Sequence, residues 1–149
     1  MFEVACIQLE ARDVSQYEQT EKEILEWIDS LCSEEKVDLL VFPECAWPAY
    51  FLRENEEAAE LALKRTPNFM KEVAQRAAHY RVHIAMGLYV QENGLLRNAG
   101  FLWGPEGEIL GRVYKSNLWH FDRKFIEAGE LFSVIDTSLG KLGMMICAD

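Results

Sequence analysis

Three residues far apart in the chain carry side chains that could do chemistry if the fold brought them together: Glu44 in "LLVFPE", Lys115 in "GRVYKSNLW" and Cys147 in "GKLGMMICAD". A thiol becomes a nucleophile when a base or a positive charge stands beside it. A carboxylate can take its proton, and an ammonium can hold the negative charge that develops on an attacked substrate. Taken alone, each residue also has a plainer reading. Glu44 reads as a strand-end glutamate facing water, Lys115 as a snorkelling lysine, and Cys147 as a small hydrophobe ending the strand "MMIC". A histidine is the other base a cysteine can use. His79 lies on a predicted helix and His83 within a predicted strand, so only His120, after Leu118-Trp119, stands near a site loop.

Residues this distant meet only if the fold collects them. "FEVACIQLE" alternates as a strand. Asp13 or Ser15 is a predicted N-cap for a helix whose stripe is Tyr17, Ile24, Leu25, Ile28 and Leu31. "VDLLVFPE" is a nearly continuous apolar run, as in a strand covered on both faces, and Glu44 follows at its carboxyl end. A second helix over "EEAAELALKR" is predicted to continue past Pro67 through Phe69, Val73, Ala77 and Tyr80. "VHIAMGLYVQ" is a strand. Asn93-Gly94, Pro105-Glu106-Gly107 and Leu139-Gly140 are turns between later strands. The order β-α-β-α-β followed by hairpins predicts a mixed α/β sheet with helices against it.

The 149 residues are half apolar, enough for one domain with a core, residues 1–149. The formal net charge of −10 sits largely on "EQTEKEILE" and "RENEEAAE", read as solvated helix faces, and it argues against nucleic acid or anionic membrane as partners. No apolar run is long enough to span a bilayer. "MFEVACIQLE" has no basic n-region and carries Glu3, unlike a secretory signal. Cys6, Cys32, Cys45 and Cys147 show neither CxxC nor zinc spacing, so neither metal nor cofactor is expected, and a reducing cytoplasm fits best.

"LLVFPE", "GRVYKSNLW" and "GKLGMMICAD", in that order, resemble the three signature segments of the nitrilase superfamily, the carbon–nitrogen hydrolases. "VACIQLEARD" is similar to the family's first strand, Tyr50 in "PECAWPAY" to a tyrosine after the glutamate, and "RNAGFLWGPEGEILGRVYK" to its Asn-containing hairpin. The resemblance implies an αββα sandwich with Glu44 as general base, Lys115 as the intermediate-stabilising cation and Cys147 as nucleophile, with Tyr50 and Asp122 positioning substrate. It implies a small amide-like or N-carbamoyl substrate hydrolysed through a cysteine thioester. Nitrile hydrolysis is an alternative, as is an inactive remnant that only binds.

The sequence departs from the family in two places. Where many members carry a second glutamate, "LWHFDRKFIEAG" has Asp122, one methylene shorter, and Glu127 is out of register. The family also needs about twice this length. The chain is therefore expected to be the N-terminal part of such a sandwich, truncated after the nucleophile strand. An uncovered edge of that kind predicts a homo-oligomer.

Overall fold

The computed structural model describes residues 1–48, 56–119, 122–124, 126–130 and 134–149, with the side chains of 56–59 outside the description. Strand β1 (Val4–Cys6) leads to a 3-10 turn, Val14–Gln16, capped by the Asp13 side chain, which accepts from Ser15 N at 2.9 Å. Helix α1 (Tyr17–Glu34) follows, then β2 (Leu39–Val41), α2 (Glu56–Tyr80), β3 (His83–Glu92), β4 (Leu95–Trp103), β5 (Ile109–Tyr114), β6 (Val134–Thr137) and β7 (Gly140–Gly143).

Helix α2 does run through Pro67. A proline inside a helix removes one backbone bond at a cost of about 3 kcal/mol. Burial of Phe69, Val73 and Ala77 outweighs that, since all three are fully inaccessible. Ile24 and Ile28 of α1 join them against Leu40, Ile84, Phe101 and Trp103 of the sheet.

The larger sheet has the order β1-β2-β3-β4-β5. β1, β2 and β3 are parallel, and α1 and α2 supply the crossovers that parallel neighbours require. β3, β4 and β5 are antiparallel. Asn93 and Gly94, both at positive φ (52° and 79°), make the tight turn between β3 and β4. The β6–β7 hairpin covers the other face, where Ile135 packs on Leu39 and Leu102 beside Leu142 and Met144. The described layers are thus helix, sheet, sheet.

Two expectations need correction. β1 is three residues long because its one partner, β2, is equally short, and Val4 points outward, 47% exposed. "MMIC" is not a strand. The β6–β7 ladder ends at the Val134–Gly143 pair, and Cys147 sits in a turn at φ 52°, exposed rather than buried.

Candidate active site

Glu44 owes its position to a bulge. Beyond β2 the chain keeps running beside β3, through Phe42 N to Ala85 O (2.8 Å), Gly87 N to Pro43 O (3.1 Å) and Tyr89 N to Trp47 O (2.8 Å). Between these anchors Glu44 and Cys45 swing out of line, with Cys45 at φ 51°. Such conformations cost about 1–3 kcal/mol in a non-glycine residue and need their surroundings to hold them. Trp47 is fully buried and donates from Nε1 to Thr66 Oγ1 at 3.2 Å. Gly87 lies directly under the bulge. A Cβ there would stand 2.6 Å from Glu44 Cα and 2.7 Å from Pro43 O, so the glycine is required by close approach.

Lys115 follows β5 at the same end of the sheet. Its N–H continues the β4–β5 ladder to Asn98 O at 2.9 Å, and its carbonyl accepts from Gly129 N at 2.9 Å. The side chain is 3% exposed, and Nζ meets Glu44 Oε1 at 2.7 Å and the fully buried Asp122 Oδ2 at 3.4 Å. Burial pushes the ammonium down, but the hydrogen bond and charge of Glu44, with the charge of Asp122, more than offset it, so the Lys115 pKa lies above its ordinary value. Asn98 Nδ2 donates to the same oxygen, Glu44 Oε1, at 2.7 Å. Two donors therefore fix one carboxylate oxygen. Among the described residues Oε2 has no hydrogen-bond partner and is left to accept a proton.

Cys147 and Glu44 line one cavity of about 300 Å³, walled mainly by apolar residues such as Val41, Ala85, Leu102 and Met144. The Coulombic influence of Cys147 is a further, smaller cause that raises the Lys115 pKa. The turn is held by Asp149. Its Oδ1 accepts from Ser116 N (2.9 Å), Ser116 Oγ (3.0 Å) and Asn117 N (2.7 Å), and Oδ2 accepts from Ile146 N (3.2 Å). Burial pushes this carboxyl up, but its donors more than offset that and hold it below the ordinary aspartate value.

The structure brings Glu44, Lys115 and Asp122 into direct contact and puts Cys147 on the cavity that Glu44 lines. Tyr50 and His120 lie outside the described residues. Glu127 is exposed, and its N–H bonds Leu96 O at 3.0 Å. His83 is 3% exposed, between Asp38 O (3.2 Å) and Ser138 Oγ (3.3 Å), and His79 packs edge-on against Tyr80, both structural as expected.

Sequence reasoning missed Asn98, Gly87 and Asp149. The signal for Asn98 was an amide between Arg97 and the apolar run Ala99–Trp103 of β4, since a buried amide needs partners. Asp149 was signalled by an Asx residue just past a predicted strand end, where its side chain can satisfy turn N–H groups.

A family model described as carbon-nitrogen hydrolase matches residues 3–149, and the chain belongs to that family. It is 28% identical to a probable hydrolase from Bacillus subtilis, over 98% of this chain and 29% of that protein. It is 28% identical to a probable nitrilase from Schizosaccharomyces pombe, over 98% of this chain and 54% of the other. An omega-amidase from Homo sapiens is 27% identical over 74% of this chain and 43% of its own length. The chain thus spans about half or less of these relatives. Among solved structures, the C. elegans NitFhit protein superposes with a TM-score of 0.84 at 19% identity, over 98% of this chain and 38% of that one. An amidase from Nesterenkonia sp. gives 0.81 at 19% identity, over 97% and 54%. At such identity the likeness is one of fold.

Proposed function

We propose that the protein hydrolyses a non-peptide C–N bond of a small molecule, of amide or N-carbamoyl type, through a thioester on Cys147. The observation that carries this reading is the Glu44–Lys115 pair at 2.7 Å beside a cavity that Glu44 shares with the thiol. Glu44 Oε2 takes the thiol proton as sulfur attacks the carbonyl carbon. Lys115 Nζ holds the oxyanion. The proton passes from Glu44 to the departing nitrogen, the C–N bond breaks, and ammonia or an amine leaves. Glu44 then takes a proton from water, which attacks the thioester and releases the acid, while the thiolate recovers its proton. Asp122 acts from behind Lys115, keeping the ammonium charged and aimed.

A solved amidase from Nesterenkonia sp. carries acrylamide added at its active site cysteine, and we take Cys147 as the counterpart. The test is Cys147→Ala in the full chain with a primary amide as substrate. Hydrolysis should disappear with little change in stability, because the thiol is exposed. Substantial residual turnover would rule out the nucleophile assignment. Self-association belongs to the same proposal, because Val134 and Met145, 67% and 72% exposed, leave apolar surface beside the site. A compact monomer in sedimentation at micromolar concentration would contradict it.

A further inference from the structure

We propose that Asp149 is a positioning residue for the reaction, clamping the turn that carries Cys147 onto the loop that follows Lys115. This rests on the reading of Cys147 as the nucleophile. One carboxylate gathers donors from two segments far apart in sequence: Ser116 and Asn117 on one side, and Ile146 on the other. Asn117 Nδ2 returns a bond to Ala148 O at 2.9 Å, and Asp149 N closes the turn on Ile146 O at 3.2 Å. Among the described residues, every hydrogen bond joining residues 144–149 to the rest of the protein is made by Asp149 or by this Asn117–Ala148 contact.

The turn needs such a tie. The β6–β7 ladder has already ended at Gly143, and Cys147 is a non-glycine residue at φ 52°. A residue in that conformation relaxes toward common backbone angles unless its neighbours over-determine it. Ser116 is covalently next to Lys115, so the clamp sets the nucleophile against the cation directly, with no intervening element to absorb error. Asp149 does not line the cavity that Glu44 and Cys147 share. Its loss should therefore act on the chemical step and leave substrate binding alone.

The experiment compares Asp149→Ala, Asp149→Asn and Ser116→Ala with the parent and with Cys147→Ala, in the full chain. Two quantities are read: the rate of iodoacetamide alkylation at Cys147, followed by intact mass, and kcat and KM on a primary amide. Misplacing a nucleophile by about 1 Å costs on the order of a hundredfold, so Asp149→Ala should lower kcat by about that factor. KM should stay within about twofold, as for an interaction that matters only in the transition state. Asp149→Asn keeps the Oδ1 acceptor but turns a donor toward Ile146 N, so its loss should be intermediate. Ser116→Ala removes one of the bonds to Oδ1 and should lose least. Alkylation should fall in the same order. If Asp149→Ala does not fold, the graded losses in the other two variants carry the test. Parental alkylation and kcat in Asp149→Asn and Ser116→Ala, with Cys147→Ala inactive, would overturn the clamp and leave the proposed function standing. Hydrolysis surviving in Cys147→Ala would overturn both.

Discussion

Lys115 stands between two carboxylates, Glu44 and the fully buried Asp122, and that fixes what its removal does. Lys115→Met should abolish hydrolysis and also destabilise by about 3–5 kcal/mol, because a buried charge is left without its partner. Urea unfolding reads this, and an unchanged midpoint would mean that Asp122 is balanced by another group. Asn98 predicts opposite signs for activity and stability. Its Nδ2 holds Glu44 Oε1, while its Oδ1 is buried with no partner among the described residues. An unpaired buried acceptor costs about 1–3 kcal/mol. Asn98→Leu should therefore lose activity, because the base is no longer fixed, while its stability holds or rises. Activity and stability falling together would show that the amide serves packing.

At the scale of elements, the site is the meeting of two strand ends over the interior of a third strand. β2 and β5 run out at one end of the sheet and deliver Glu44 and Lys115, and β4 passes between β3 and β5 to place Asn98. The weak point is the bulge over β3. Gly87→Ala would put a methyl group 2.6 Å from Glu44 Cα, so the bulge must move. The expected result is a folded protein, less stable by about 1–3 kcal/mol, with kcat reduced at least tenfold. Normal kcat in Gly87→Ala would mean that Glu44 tolerates displacement. Gly129 plays a similar part behind Lys115, since a Cβ there would fall 2.4 Å from Tyr114 Cβ.

For the whole molecule, the pH dependence of stability follows from buried groups. Burial pushes the Cys45 thiol from 9.0 up to about 12, against a partial lowering by the Tyr89 hydrogen bond. The folded pKa is raised, so the protonated thiol contributes stability that is complete below pH 9 and lost as pH rises toward 12. One proton corresponds to a slope of up to about 1.4 kcal/mol per pH unit in that window. Urea midpoints of the parent should fall across it, and those of Cys45→Ala should fall less. Parallel curves would place the alkaline sensitivity elsewhere. Asp149 acts at the other limit. Its folded pKa is lowered, so its contribution is present above the ordinary value of 3.8 and lost as pH falls below it.

The sequence by itself determined the α/β class, both helices with their buried stripes and the hairpin turns, because each rests on local periodicity or turn chemistry. It also marked Glu44, Lys115 and Cys147 as the residues able to do chemistry, and Asp122 where the family carries a glutamate. Only the tertiary structure decided how they meet. Asp122 stands behind Lys115 because 3-10 turn residues 122–124 fold back under the β5 end. Cys147 left its predicted strand because the ladder that would have held it stops at Gly143. Gly87 reads as an ordinary strand residue, and Asn98 only as the asparagine of a family-like hairpin, until Glu44 is laid across them. Asp149 has no visible partner in sequence, since its donors Ser116 and Asn117 come from the loop after β5. Contacts between segments this far apart leave no period or spacing in the chain. They exist only once burial of the helix and sheet faces has fixed which strand ends lie together.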